Sequence, residues 1–296
     1  MNIKNLFDEK KVVFSFEIFP PKSTSSVQTI YNTLEELKDL NPDYISVTYG
    51  AGGSMRNNKT IELSSLVKNK YKIEAVAHLT CIGSSKEDIK YYLKDLKDNN
   101  IENILALRGD IPNDNYIAGE LKYATDLISY IKDSNMNFNI ASACYPEGHI
   151  ENKSLKLEIE NMRRKEDAGV SNFISQLFFD NNLYYNFLDK VKGANIRNPI
   201  EAGIMPVTNK KQIERMVALS GAKLPDKFKR ILDKYEYNPD ALRDAGIAYA
   251  VEQIVDLIST GVDGIHLYVM NNPYLARKIS GSIESIINTV NQIQLV

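Results

Sequence analysis

Tryptophan is absent, and cysteine nearly so, at two residues. Cys81 and Cys144 cannot build a disulfide framework, which removes the small cross-linked secreted scaffolds. No apolar run approaches the ~18 residues of a membrane-spanning helix. Met1-Asn2-Ile3-Lys4 leads into no signal-peptide core, so the chain is expected in the cytoplasm. An excess of one charge is missing too. Lys and Arg number 36 against 38 Asp and Glu, a formal net charge of −2, and no basic stripe stands out. Nucleic acid and membrane surfaces are therefore not expected partners. Linkers and low-complexity breaks are absent as well.

What is present is a large apolar content, 43% of 296 residues. One α/β barrel of about 250 residues would nearly fill this length. Strand patterns occur at 12–17, 44–48, 73–78, 103–107, 138–143, 173–178, 200–205 and 264–269. Helical patterns separate them, at 23–40, 60–70, 86–97, 121–132, 154–168, 183–191, 210–219, 225–235 and 240–260, and a last one follows Pro273. Eight strands alternating with helices predict a single (β/α)8 TIM barrel over residues 1–296, an α/β fold. An open doubly wound sheet is the alternative.

Several strand ends carry polar groups, and the C-terminal rim is where such folds place ligands. Ile104 to Leu107 is a continuous apolar run that stops at Arg108, Gly109 and Asp110. Asp110 reads either as half of an Arg108–Asp110 pair or as an anion facing a cationic intermediate. Gly109 allows a tight turn or close approach to a ligand. Glu17 ends the first strand, and is a candidate proton donor or a partner of a lysine. Tyr49-Gly50-Ala51-Gly52-Gly53 could cradle a phosphate, but it has neither Rossmann spacing nor the Lys-Ser/Thr of a P-loop. His78, Cys81, Cys144 and His149 match no closed zinc site, and no metal is expected. Glu158, Asn161, Arg164 and Lys165 share a helix; Arg and Lys there could hold a diphosphate, or the face is simply solvated. Gln176, an amide inside an apolar strand, must be hydrogen-bonded and could meet a ligand's amide edge.

Eight motifs in order carry a resemblance. They are Phe14-Ser-Phe-Glu17-Ile-Phe-Pro-Pro21, Val47-Thr-Tyr-Gly-Ala51, His78-Leu-Thr-Cys81, Leu105-Ala-Leu-Arg-Gly-Asp110, Tyr145-Pro-Glu-Gly-His149, Gln176-Leu-Phe-Phe-Asp180, Gly203-Ile-Met-Pro-Val207 and His266-Leu-Tyr268. Over nearly its whole length the chain resembles methylenetetrahydrofolate reductase in its bacterial single-domain form. The resemblance implies the same barrel, without the C-terminal regulatory domain of the eukaryotic enzymes. It implies FAD as cofactor, 5,10-methylenetetrahydrofolate as substrate, NADH or NADPH as donor, and a homo-oligomer.

Roles follow by resemblance. Glu17 falls on the general acid that protonates the folate as its ring opens to an iminium cation. Asp110 falls on the carboxylate that stabilises that cation. Gln176 and Gln212 match folate contacts, and Thr48 a nicotinamide contact. Tyr49, Ala51, His78, Arg108, Gly109, Asp110, Ala124, Tyr145, His149, Glu158, Asn161, Arg164 and Lys165 match the FAD-binding set. Glu158 stands where an aspartate is more familiar. The implied reaction is ping-pong: hydride passes from nucleotide to flavin, and then from flavin to folate. Two positions depart from the pattern. Met216 replaces a stacking phenylalanine, and Asn272 replaces an arginine, with Arg277 about a turn further on. Both lie at the substrate end, and they leave open an alternative found in some clostridial-type relatives, a partner iron–sulfur subunit that supplies the electrons.

Overall fold

The computed structural model describes residues 1–21, 27–49, 59–111 and 119–292. Eight parallel strands close into a barrel in sequence order. They are β1 (Val13–Ile18), β2 (Tyr44–Val47), β3 (Glu74–Thr80), β4 (Asn103–Leu107), β5 (Asn139–Cys144), β6 (Asn172–Ser175), β7 (Ile200–Ile204) and β8 (Gly264–Tyr268). The (β/α)8 expectation is met, and β8 closes on β1 with Ser15 opposite His266 and Glu17 opposite Tyr268.

The helices are α1 (Lys4–Glu9), α2 (Val27–Leu37), α3 (Lys59–Ser65), α4 (Lys86–Asp98), α5 (Ala124–Asp133), α6 (Leu155–Asp167), α7 (Asn181–Gly193), α8 (Lys210–Ser220), α9 (Asp226–Tyr235), α10 (Pro239–Ser259) and α11 (Pro273–Gln292). Asparagine takes the left-handed turn after four helical segments, at Asn41, Asn100, Asn135 and Asn195. Its short polar side chain tolerates that conformation better than most. Among the described residues no helix is long and apolar enough to cross a membrane.

Alternation along each strand divides two environments. Phe14, Phe16 and Ile18 of β1, Ile45 and Val47 of β2 and Ile265 and Leu267 of β8 face outward into the main core under the helices. Val13, Tyr44, Val76, Leu105, Ala141 and Ile174 point inward and meet Ile3 and Leu6 on the barrel axis. Leu6 belongs to α1, which therefore plugs the floor. This helix was not foreseen: six residues are too few to display a helical period.

Other differences are local. β6 ends at Ser175, so Gln176 lies just beyond the strand rather than inside it. The second helical pattern, 60–70, is α-helical only to Ser65, and Leu66–Lys70 is a π turn. The fifth helix starts at Ala124 rather than 121, because Asp126 Oδ2 accepts the N–H groups of Lys122 and Tyr123.

Candidate active site

At the barrel mouth Glu17, the last inward residue of β1, is 19% exposed. Its Oε2 lies 3.5 Å from His78 Nε2 and 3.5 Å from His266 Nε2. No lysine pairs with it among the described residues, so the structural alternative for Glu17 finds no support. His78 is fully enclosed, and its Nε2 has no hydrogen-bond partner. Burial lowers its pKa to about 4, with Glu17 opposing the shift. At neutral pH the ring is therefore uncharged. Tyr268 covers the other side, its ring edge-on to His266 at 5.3 Å and its hydroxyl donating to Ser175 O at 2.8 Å.

Thr48 and Tyr49 follow β2 on the same rim, half-buried. Thr48 N–H donates to Ile18 O at 3.0 Å, and the Tyr49 ring sits 5.9 Å from Tyr92. Ala51 lies outside the described residues, as does most of its glycine-rich loop. Asp110 is exposed, three positions beyond β4. Gly109 has φ +89°, and a Cβ there would meet Ile82 Cγ2 at 2.6 Å. The tight turn therefore requires glycine. Gln176 anchors its own backbone: its N–H donates to Cys144 O at 2.7 Å, and its Oε1 accepts from Leu177 N at 2.9 Å. Its amide nitrogen has no hydrogen-bond partner among the described residues. Gln212 sits half-buried in the first turn of α8, whose cap is Asn209 Oδ1. Met216, a turn later, packs on the apolar cluster around Ile213 and Phe228.

Beside the mouth, a cavity of about 420 Å³ lies among the ends of β4 and β5 and the helices α5 and α6. Arg108, Ala124, Tyr145, His149, Glu158, Asn161, Arg164 and Lys165 all line it. The structure thus brings eight of the thirteen FAD-set positions into one cavity. His78 is in the barrel interior instead, beside Glu17.

The α6 face is not the solvated charge run that its sequence allows. Ser154 caps the helix, accepting Leu157 N–H at 3.2 Å, and the i, i+3, i+7 spacing of Glu158, Asn161 and Lys165 turns them inward. Glu158 is 2% exposed and Lys165 8%. Lys165 donates to Ala143 O at 2.6 Å, and Glu158 Oε1 accepts Tyr145 N–H at 3.3 Å. Burial pushes the Glu158 carboxyl up to about 7, opposed by Lys165 and the Tyr145 amide. Arg164 is exposed and has no partner among the described residues.

Arg108 does not pair with Asp110. Its guanidinium makes a two-pronged contact with Glu151, at 2.9 and 2.5 Å. Glu151 was not singled out from sequence; the only hint is that it follows the Tyr145-to-His149 run. Its N–H donates to His149 Nδ1 at 3.3 Å, and His149 meets the Tyr145 ring edge-on at 4.7 Å. Among the described residues no cluster of three His, Cys, Asp or Glu could hold a metal. Cys81 and Cys144 are buried free thiols.

The Glu158 environment predicts a pH-dependent stability. In the unfolded chain this carboxyl titrates near 4.5, and in the folded one at about 7. The folded chain holds the proton more tightly, so stability falls as pH rises through that interval. Glu158→Gln removes this slope. In thermal denaturation of cofactor-free protein, the variant's midpoint should gain on the parent's between pH 5 and pH 7 and level off above that. A difference that is constant with pH would reject the assignment.

Comparison with known proteins gives the family. The chain matches the family model for methylenetetrahydrofolate reductase over residues 2–284. It is 33% identical to the 5,10-methylenetetrahydrofolate reductase of Pectobacterium carotovorum, covering 91% of this chain and 89% of that one. For the Escherichia coli (strain K12) enzyme the identity is 34%, covering 90% and 88%. A solved Clostridium thermocellum protein, described as uncharacterized and binding two copies of 5-methyl-5,6,7,8-tetrahydrofolic acid, shares the fold. Its TM-score is 0.69 at 14% identity, covering 98% of this chain and 100% of that one. The chain belongs to the methylenetetrahydrofolate reductase family, oxidoreductases that reduce methylenetetrahydrofolate.

Proposed function

We propose that the protein is an FAD-dependent 5,10-methylenetetrahydrofolate reductase that takes hydride from NADH or NADPH and forms 5-methyltetrahydrofolate in a ping-pong cycle. The observation that carries this reading is Glu17. It is a half-buried carboxyl at the barrel mouth, held between two histidine rings and unneutralised by any lysine among the described residues.

The side cavity fits a dinucleotide by its donor set. The first N–H groups of α5, at Ala124 and Thr125, make no backbone bond within the helix and suit a diphosphate, as does the unpaired Arg164. Glu158 Oε2 has no hydrogen-bond partner among the described residues and can accept a ribose hydroxyl. Tyr145 and His149 supply aromatic walls. Bound there, a flavin would supply two-electron hydride chemistry between nucleotide and folate.

The chain's own residues do the rest. Glu17 gives its proton to the folate nitrogen that leaves the one-carbon unit. Asp110 places an anion opposite the cation that results, an interaction made only as charge develops. The Gln176 and Gln212 amides orient the pterin, and Thr48 contacts the nicotinamide when the donor occupies the mouth.

The test is the visible spectrum of purified protein, before and after anaerobic NADH or NADPH and then methylenetetrahydrofolate. The expected result is a flavin spectrum that bleaches with the nucleotide and returns with the folate. A flavin that stays oxidised with either nucleotide, yet bleaches with dithionite and is reoxidised by the folate, would move the electron source to a partner subunit. A protein that neither contains nor takes up FAD would overturn the cofactor.

A further inference from the structure

The inward positions of β4, β5 and β6 begin with the buried amides Asn103, Asn139 and Asn172 and turn apolar above them. Leu105, Ala141 and Ile174 fill the side made by β4, β5 and β6, as branched and bulky residues fill most such barrels. The side made by β7, β8, β1 and β2 holds Glu201, His266, Ser15, Tyr44 and Ser46, each with zero exposure. A leucine or valine would pack these positions more cheaply than an acid that no lysine or arginine reaches among the described residues.

Glu201 is tied into a file of hydrogen-bonding atoms. Its Oε1 accepts the Tyr44 hydroxyl. Its Oε2 lies 2.7 Å from Ser15 Oγ, and Ser15 Oγ lies 2.7 Å from His266 Nδ1. His266 Nε2 is in turn 3.5 Å from Glu17 Oε2. Such contacts commonly shorten when substrate binds. The file runs from a sealed carboxyl to the carboxyl at the mouth, with no gap larger than that one.

We propose that Glu201 is a proton store for Glu17, connected to it through Ser15 and His266. This rests on the reading of Glu17 as proton donor to the folate. Once Glu17 has given up its proton, its carboxylate takes the proton on His266 Nε2. His266 Nδ1 takes the Ser15 hydroxyl proton, and Ser15 Oγ takes the proton of the Glu201 carboxylic acid. Each O–H or N–H bond broken is matched by one formed. His266 stays neutral and changes tautomer, and Glu201 ends as a carboxylate held by the Tyr44 and Ser15 hydroxyls. The file reloads in reverse when the mouth next meets water. Glu201 acts through other groups and is a positioning residue, not one in contact with substrate.

Two further observations fit. The floor beneath Glu201 is closed by Ile3 and Leu6 against Val13 and Tyr44, so no proton enters from below. Burial also pushes Glu201 up to about 7, with His266, Tyr44 and Ser15 opposing and Asp43 adding. Asp43 is itself paired with Lys10. The remaining titratable neighbours are Tyr184 of α7 and Tyr268 of β8, both neutral phenols kept so by burial. His78, held neutral at its pKa of about 4, has no extra proton to give at pH 7.

The experiment uses holoenzyme with its flavin reduced by dithionite, so no natural donor is needed. Repeated reoxidation by methylenetetrahydrofolate, under excess dithionite so that Glu17 must be reloaded between turnovers, is followed across pH 5.5–8.5 in H2O and D2O. Glu201→Gln keeps the volume and the hydrogen bonds but cannot store a proton. Ser15→Ala breaks the file while Tyr44 still holds Glu201. Both should slow reoxidation on the order of tenfold, less than loss of the acid itself, and flatten the pH dependence near neutrality. Glu201→Asp should restore it in part. Infrared spectra of the parent should show a protonated carboxylic acid lost in Glu201→Gln. Parental rates and pH profiles in Glu201→Gln and Ser15→Ala would overturn the proposal. A Glu17→Gln variant run alongside separates the two readings: if it turns over normally, the donor assignment has failed; if it is inactive while both file variants are normal, only the store has failed.

Discussion

Glu17→Gln should leave flavin reduction by the nucleotide intact and cut the folate half-reaction by ~10²–10⁴-fold, the usual contribution of a positioned general acid. The amide keeps the shape and the acceptor oxygen between His78 and His266, each 3.5 Å away. What it lacks is a proton that it can give. At 19% exposure, water has poor access to stand in for it. The two half-reactions separate the effect cleanly, since hydride transfer from nucleotide to flavin requires no protein acid. Stopped-flow traces with both half-reactions slowed alike would point to a misfolded mouth. Normal folate turnover would remove Glu17 from the mechanism.

The second large effect is on stability, and it sets two glycines against each other. Gly246 lies inside α10, where a Cβ would come within 1.7 Å of Val207 O and 2.8 Å of Val207 C. Those are backbone atoms, so no side-chain rotation relieves the clash. Gly281 lies in α11, exposed, with nothing within 4 Å of its would-be Cβ. Alanine favours a helix over glycine by about 0.5–1 kcal/mol. At Gly281 that gain stands alone, and Gly281→Ala should be neutral or slightly stabilising. At Gly246 overpacking costs about 3 kcal/mol or more and outweighs it. Gly246→Ala should therefore lower the melting temperature by at least ~5 °C, using about 2–4 °C per kcal/mol for a large domain. Val207 also leads into α8, so the variant that folds should bind folate more weakly through Gln212 while holding FAD normally. Equal melting temperatures for the two variants would show that the β7–α8 connection yields without cost.

The sequence spoke most clearly where burial forces pattern. β4 reads as four consecutive apolar residues after Asn103, and its limits, 103–107, are those observed. The strand ends were legible because polar groups after apolar runs have few other places to be. Pairing across the chain was not. Arg108 offered Asp110 two residues away, but the chain turns at Gly109 and the guanidinium reaches Glu151 instead. The α6 charges looked solvated because a helical wheel cannot say which neighbour will cover it. Glu201 passed unremarked within 200–205, although a lone carboxylate at an inward position of a buried strand is the kind of signal that marks a buried polar file. α1 was too short to announce itself.

The plug formed by α1 also governs traffic. A barrel open at one end has a single doorway, and whatever occupies it must back out before the next visitor enters. On the ping-pong reading proposed above, a nicotinamide donor and a folate that share this doorway would form a queue. Raising either one far above its working level then jams the entrance against the other, and turnover falls at high concentration of each. The order of events would follow from the architecture of the room.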